Sequence, residues 1–312
     1  MGSYLIRRLW QMIPTLLGVI LLVFFLFNWV GGDPAQVLAG KISDPEQIAN
    51  IRKQLGVDLP IWQQLLIFVK QVATGDFGRS WSTQEDVSHI FLTRIGPSLT
   101  VMIPVLLLET MLGIVLAMGV AYLRGSLTDR AVMMASTIAM SVSFLVYIIV
   151  GQYWFGFKLG WFPVQGWSDH FWTNLLSYAM LPIILAVLVG LAPTTRLYRS
   201  FFLDEMNQDY VRTARAKGLS EGVVMFKHVL RNTMIPILTN VAMYLPSLMI
   251  GSFLLEKFFS IPGLGREVIN AVERSDFPVI KAITIYLAIA TMFINLATDV
   301  LYKWVDPRVQ FK

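Results

Sequence analysis

Charge is scarce in this sequence. Only 14% of its 312 residues are Asp, Glu, Lys or Arg, and 55% are hydrophobic. An ordinary soluble domain carries roughly 25% charged residues. This composition excludes a typical soluble globular domain and indicates a membrane protein.

Cysteine is absent, and there are only three histidines, His89, His170 and His228. The missing cysteine is compatible with loops that face an oxidising periplasm, but many proteins lack cysteine, so it does not decide the compartment. The histidines are too scattered to indicate a metal site. We therefore expect no bound metal in this chain.

The sequence also lacks the motifs of energy-coupling and hydrolytic enzymes. It contains no Gly-x-x-x-x-Gly-Lys-Ser/Thr phosphate loop and no His-Glu-x-x-His pair. The glycine-rich "PGLGR" at 262–266 has no Gly-Lys-Ser/Thr after it, and it predicts a turn before a short helix over Arg266–Arg274. We expect no catalytic residue and no cofactor bound by this chain, so uphill movement of a solute would need energy from another chain.

Six apolar runs have about the 20 residues needed to cross a bilayer, and none of them contains Lys or Arg. The runs are residues 9–30, 98–123, 131–156, 175–195, 233–256 and 282–302. The apolar core of the first run is longer than that of a secretory signal, which favours a true span. We predict an all-α membrane protein, a six-helix transmembrane bundle forming a single domain over residues 1–312.

The bases predict the orientation, because Lys and Arg accumulate in short cytoplasmic loops. The N-terminus, the loops at 124–130 and 196–231 and the C-terminal tail together hold 14 bases and six acids. The segments on the other side hold 11 bases and 11 acids. Both termini are therefore predicted to be cytoplasmic, and the net charge of +5 needs no nucleic-acid partner to explain it.

The first external segment, residues 31–97, contains the stretch "PIWQQLLIFVKQVA". Its apolar residues recur at helical spacing, which predicts an amphipathic helix. Such a helix either packs against the outer mouth of the bundle or docks something that arrives from outside. The later "GDFGRSW" at 75–81 is rich in turn-forming residues.

Ionisable residues within apolar runs are costly and usually face a cavity or a partner. Glu109 lies near the middle of the second run, whereas Glu256 and Asp299 lie near run ends. A hydrogen-bonded structural role and a place on a polar translocation path both remain open for Glu109. A membrane-embedded enzyme that uses Glu109 as an acid or base is a further alternative, although no second titratable group lies close to it within the runs.

One long polar segment, "QDYVRTARAKGLSEGVVMFKHVLRNTMIP" at 208–236, lies between two apolar runs. It predicts a helix over Met206–Lys217, a left-handed stop at Gly218 and a second helix that begins after Ser220. Its bases are also compatible with attraction to anionic lipid. Small Ala214 and Gly218, four residues apart on one helical face, favour instead the close approach of another protein.

This segment resembles the EAA loop of permease subunits in bacterial ABC importers, Glu-Ala-Ala-x-x-x-Gly-x9-Ile-x-Leu-Pro. Gly218 takes the glycine position and Ala214 the second alanine, and Leu230 also matches. The sequence departs from the motif where Arg212 replaces Glu, Thr213 the first Ala, His228 the Ile and Arg231 the Pro.

These departures are similar to the peptide/nickel branch of the family and its B-type subunits. Other matches span nearly the whole chain: "GDP" at 32–34, "GDFGRS" at 75–80, "LGWFPVQGW" at 159–167, "PGLGR" at 262–266, "DFPVI" at 276–280 and "DVLYKWVDPR" at 299–308.

The resemblance implies a type I ABC importer permease in the bacterial inner membrane. Its partners would be a C-type permease, two cytoplasmic ATPases that bind ATP and Mg, and a periplasmic binding protein. The cytoplasmic loop, 204–231, would contain a coupling helix that docks on an ATPase. The residues implied in this docking are Tyr210, Arg212, Thr213, Ala214, Arg215, Ala216, Lys217, Gly218 and Leu219.

Di- or oligopeptides are the implied cargo. Glutathione and chelated nickel are alternative cargoes for the same machinery, and a scaffold or receptor without transport is an alternative of another class.

Overall fold

A computed structural model describes residues 2–29, 35–36 and 44–305 of the chain. These residues are mostly helical and contain no β-strand, which confirms the all-α prediction. The "GDP" match at 32–34 lies outside the described residues. The longer helices are α1 (Gly2–Trp29), α2 (Pro45–Leu55), α3 (Ile61–Thr74), α4 (Val87–Tyr122), α5 (Leu127–Ser141), α6 (Phe144–Gly151), α7 (Met180–Met206), α8 (Asp209–Ala216), α9 (Leu230–Ile250), α10 (Phe253–Phe258), α11 (Leu264–Glu273) and α12 (Phe277–Val305).

The chain divides into two compact units. The first comprises residues 1–97 with 262–297, and the second comprises residues 98–261 with 298–310. Two boundaries between the units, at residues 97/98 and 297/298, lie inside the continuous helices α4 and α12. The single permease domain remains a prediction.

Five helical stretches of the described chain are long and apolar enough to cross a membrane, and a bent pair brings the number to six if it forms one span. The pair is α5 with α6 and the π-helical turn Gln152–Lys158, and it bends by 90°. Asp129 near its start bonds Arg199 late in α7, while Gly151 near its end lies against Leu185 early in α7. Since Leu185 and Arg199 are about 21 Å apart along a helix, the pair follows most of the length of α7.

The bend lies at Ser141–Val142–Ser143, where Val142 has an extended backbone. Breaking a helix leaves carbonyls without their usual partners. One of them, the carbonyl of Ala139, accepts a hydrogen bond of 3.0 Å from the Tyr147 hydroxyl. The predicted run 131–156 therefore exists as two helices rather than one straight helix.

Several helices extend past the apolar runs that predicted them. Helix α4 begins at Val87, before the run that starts at 98. Helix α7 continues to Met206, past the run that ends at 195. The added turns contain bases such as Arg94, Arg196 and Arg199. Hydropathy falls where charges begin, but the helical backbone hydrogen bonds continue past that point.

The first unit has an aromatic core. Phe68 of α3 stacks on Phe24 of α1 at 6.2 Å between ring centroids and also contacts Phe77, which packs edge-on against Tyr286 of α12. The amphipathic helix predicted in the external segment is thus confirmed. Phe68 lies in this core, and half-buried Leu65, Val69 and Val72 pack against it.

The second unit has two apolar clusters. One surrounds Ile148, Leu181 and Leu185, and the other surrounds Tyr198, Phe202 and Val229. Helix α9 stops at Gly251 (φ 72°, ψ −165°), and α10 follows after one residue. The apolar run 233–256 gave no sign of this break.

Candidate functional site

The polar segment after α7 folds as a helix, a glycine turn and a second helix, as its sequence predicts. The first helix is Asp209–Ala216 rather than Met206–Lys217, because Met206 ends α7 and residues 207–208 separate the two helices. Helix α8 buries Val211 and Ala214 in the cluster around Phe202 and Val229. These contacts seat α8 on its own chain. The opposite side of α8 is exposed and polar.

Gly218 ends the first half of this segment with φ 78°, the left-handed conformation that favours glycine. The guanidinium of Arg215 donates two hydrogen bonds, of 2.8 and 3.2 Å, to the carboxylate of Glu221 across the turn. This pair links the two helices, although its partly exposed position limits its contribution to stability. Ser220 stands at the start of the second helix without a side-chain capping bond.

The second helix continues into α9 without interruption. It begins at Glu221, passes through a π-helical turn at Val224–Val229 and enters α9 at Leu230. Val224, Met225 and Val229 are buried, whereas Phe226 is 63% exposed. The segment is therefore continuous with a helix long enough to span a membrane.

Most of the predicted docking residues lie on the exposed side of the segment. We call this side the loop surface. It consists of Arg212, Thr213, Arg215, Ala216, Lys217, Leu219 and Phe226. Tyr210 is half-buried instead, and its hydroxyl donates a 3.0 Å hydrogen bond to Glu205, while burial raises the pKa of this phenol.

The structure changes the physical argument made for the two small residues. Ala214 is only 5% exposed and faces the chain's own core, so its small size allows α8 to seat closely. A Cβ added at Gly218 would meet open space, so the glycine is required by its backbone conformation. A partner at this segment would contact the loop surface rather than the Ala214 side.

Phe226 was not among the predicted residues. It lies in the run "VVMF" at 223–226, whose four members are all apolar. The π-helical turn adds a residue to the helical repeat, so regular 3.6-residue spacing does not tell which side chain points outward. The one feature of the sequence that could have indicated an exposed Phe226 was its place within a basic polar segment.

An ion pair holds the base of the segment. Arg199 of α7 donates hydrogen bonds of 2.8 and 2.7 Å to the two carboxylate oxygens of Asp129, which is 4% exposed. The backbone N–H of Gly125 donates to the same carboxylate at 2.9 Å. The beginning of α5 is thereby fixed to the end of α7, next to the loop.

Glu109 lies beside a small cavity of about 80 Å³ between α4, α7 and α9. Its carboxyl accepts a 2.5 Å hydrogen bond from Thr194, and any Cβ on Gly190 would overlap it. Tyr198 and Asn240, joined by a 3.4 Å hydrogen bond, also line the cavity. The hydrogen bond fits a structural role, and a cavity with several polar lining residues fits a path role, so both predictions for Glu109 stay open.

Comparison with known proteins matches nearly the whole chain to one family. Residues 110–311 match the binding-protein-dependent transport system inner membrane component, and residues 1–102 match the N-terminal region of the same kind of membrane component. The chain therefore belongs to the family of inner membrane components of binding-protein-dependent transport systems.

Individual relatives cover the full length. The chain is 35% identical over 333 residues to the di/tripeptide transport system permease protein DppB of Pseudomonas aeruginosa (strain UCBPP-PA14), with 99% of both chains aligned. It is 35% identical over 316 residues to the glutathione transport system permease protein GsiC of Salmonella typhi, with 100% of both aligned. The resemblance to the permeases of ABC importers is thus confirmed.

Proposed function

We propose that this chain is the B-type permease subunit of an ATP-driven importer that takes up di- or oligopeptides from a periplasmic binding protein. Full-length relatives named for di/tripeptide and for glutathione transport support this class of cargo. Glutathione is itself a small peptide, and it is the alternative cargo. Chelated nickel, the third cargo of the branch, has no support among these relatives.

The loop surface is the proposed contact with a cytoplasmic ATPase, which binds ATP and Mg and supplies the energy. One observation carries this assignment. An exposed, basic face is seated on a buried apolar base and is continuous with α9 through the segment after Gly218. Closure of two ATPases against each other would move this segment as a rigid body and, with it, the helix that enters the membrane.

A second, C-type permease would complete the pathway, and both termini of this chain would lie in the cytoplasm. The orientation is supported by the excess of bases around the loop segment and the two termini. It is also supported by the six-span count, in which the bent pair α5–α6 follows most of the length of α7.

The test is the identity of the proteins that co-purify with the chain in mild detergent, measured by mass spectrometry. A bulky residue on the loop surface should exclude the ATPases, and Ala216→Trp places it on an exposed helical position. Gly218→Trp is less informative, because a side chain at φ 78° is strained whatever it contacts. The matched control is Ala73→Trp, which adds the same bulk at an exposed position of α3.

We expect the natural chain and Ala73→Trp to recover a second permease and ATPases, and Ala216→Trp to lose the ATPases but keep the second permease. Equal recovery of ATPases with both variants would contradict docking at the loop surface. Recovery of neither partner with the folded natural chain would favour the enzyme or scaffold alternatives. Uptake of labelled dipeptides and of glutathione by the complete system then decides between the two cargoes.

A further inference from the structure

The first unit contains a cavity of about 400 Å³ that none of the predicted site residues lines. It lies between the end of α1, the external segment and the first turns of α12. Its walls include the rings of Phe24, Phe68, Phe77, Trp81 and Phe277. A second cavity of about 280 Å³ shares Trp81 and Phe277 with the first. A pocket of this size whose wall combines aromatic rings with a few polar groups is typical of a ligand site.

Two cations and no acidic residue line the larger cavity within the described part of the chain. The cations are Lys281 and Arg79. Lys281 lines both cavities, and its ammonium lies 5.8 Å from the ring centre of Phe27 and 5.7 Å from that of Phe68. Neither cation forms a salt bridge within residues 44–305.

Asp276 is the acidic residue nearest to Lys281 in the sequence, but its carboxylate is engaged by other groups. Lys281 lies in the second turn of α12. Asp276, just before α12, is not part of the cavity wall, and its carboxylate accepts hydrogen bonds from Ser80, Trp81 and Ser82. Lys281 is half-buried, and its ammonium contacts two phenylalanine rings, which leaves it open to an anion from outside the chain.

We propose that this cavity binds the free carboxylate of a small peptide, with Lys281 as its principal cationic contact and Arg79 as a second. The proposal rests on the proposed function, since it takes small peptides as the solutes that reach the outer side of this chain. It names a binding site in the first unit that is separate from Glu109 and from the loop surface.

The rest of the wall fits a peptide better than a simple anion. The side-chain amides of Asn28 and Gln71 line the larger cavity beside the cations and can pair with peptide N–H and C=O groups. The aromatic rings suit an apolar side chain. A phospholipid phosphate would satisfy the cations equally well, but it has no amide for these groups to recognise.

The experiment measures binding of the dipeptide Ala-Phe to the purified full chain in phosphatidylcholine nanodiscs, by ligand-observed NMR. The matched probe is Ala-Phe amide, which differs only in its neutral C-terminus. Lys281→Met removes the charge and keeps the apolar stem, and it leaves no hydrogen-bonding group unpaired, so the variant is expected to fold. Lys281→Arg keeps the charge. Lys70→Gln is the control, because Lys70 lies on α3 outside the cavity wall.

We expect Lys281→Met to weaken Ala-Phe binding by about tenfold or more, as for loss of a charge-assisted hydrogen bond. Lys281→Arg and Lys70→Gln should stay within about twofold of the natural chain, and Ala-Phe amide should bind the natural chain as weakly as Ala-Phe binds Lys281→Met. Equal binding of both probes, or of Ala-Phe to the natural chain and Lys281→Met, would overturn the proposal.

Lipid competition distinguishes a peptide carboxylate from a lipid phosphate as the occupant of the cavity. If phosphatidylglycerol in the nanodiscs abolished Ala-Phe binding and the natural chain retained this lipid more than Lys281→Met does, the site would belong to a lipid phosphate and the proposal would be wrong. The assay uses the chain without ATPases or a binding protein. A failure of Ala-Phe to bind would therefore overturn the binding site but not the proposed function in peptide import. The proposed function would be contradicted only if the complete system containing the natural chain took up no peptide.

Discussion

The carboxylate of Asp276 accepts a hydrogen bond of 2.5 Å from the hydroxyl of Ser80, 196 positions earlier in the chain. It also accepts hydrogen bonds from the backbone N–H groups of Trp81 and Ser82, each at 3.1 Å, and from the Ser82 hydroxyl at 2.8 Å. Asp276 is 1% exposed. One buried side chain thus holds the start of α12 against the turn at residues 80–82 that precedes α4.

Asp276→Ala should therefore destabilise the first unit. The substitution leaves two backbone N–H groups and two hydroxyls without their acceptor, and loss of hydrogen bonds to a charged group costs about 3 kcal/mol. We expect a lower apparent melting temperature for the purified chain in detergent and faster proteolysis at residues 75–86. The control Asp58→Ala removes an exposed acid from the same segment and should change neither. A melting temperature equal to that of the natural chain would show that the turn is held by other contacts.

The pair Asp129 and Arg199 should show strong coupling in a double-mutant cycle. Asp129→Ala leaves a largely buried guanidinium without its carboxylate, and breaking such a pair costs about 3 kcal/mol. The double variant Asp129→Ala with Arg199→Ala removes both charges and should lose much less stability than the two single effects added together. Melting temperatures of the four proteins measure this difference, and simple additivity would contradict the coupling.

Two glycines with positive φ should respond differently to substitution. A Cβ at Gly218 meets open space, so Gly218→Ala should cost only about 1 kcal/mol of backbone strain, and Gly218→Asn less. At Gly251 the backbone is in a region used almost only by glycine, and a Cβ would overlap the buried carboxylate of Glu256, which accepts a 2.7 Å hydrogen bond from Ser98. We expect Gly251→Ala to reduce the level of folded protein in membranes sharply, measured by fluorescence-detected size exclusion. Similar levels for both alanine variants would contradict this.

The sequence predicted those parts of the fold that depend on local pattern. Hydrophobic runs located the long helices, and helically spaced apolar residues from Ile61 to Val72 predicted α3. Phe68 of this set is buried, whereas Ile61 is 60% exposed. The break at Val142 was not predictable, because Ser and Val residues are common inside transmembrane helices. The hydrogen bond from Tyr147 to Ala139 that makes the break tolerable arises only in three dimensions.

The same limit applies to the sites. Gly218 was predicted as a left-handed stop because a helical pattern ends there, and its φ of 78° confirms this. Lys281 gave no signal in the sequence because the apolar run begins at the next residue, although α12 begins at Phe277. Its place between the rings of Phe27 and Phe68 depends on contacts between segments more than 200 residues apart, which no single-sequence pattern contains.

Glu109 and Gly190 supply a further prediction. Because a Cβ on Gly190 would overlap the Glu109 carboxyl, Gly190→Ala should displace that side chain from Thr194 and lower the apparent melting temperature. Glu109→Ala removes the obstructing atoms, so the double variant should be more stable than Gly190→Ala alone. Stability of the double variant at or below that of Gly190→Ala would show that the clash lies elsewhere.

A charge-neutral substitution separates the two roles of Glu109. Glu109→Gln keeps the size of the side chain and an acceptor for Thr194 but removes the negative charge. If the carboxyl serves only packing, peptide uptake by the complete system should stay within about twofold of the natural rate, a difference of about 0.4 kcal/mol. A role on the path predicts a larger loss of uptake at unchanged melting temperature, and we expect this second result because the cavity beside Glu109 is also lined by Tyr198 and Asn240. Uptake and melting temperature measured on the same preparation decide between the two roles.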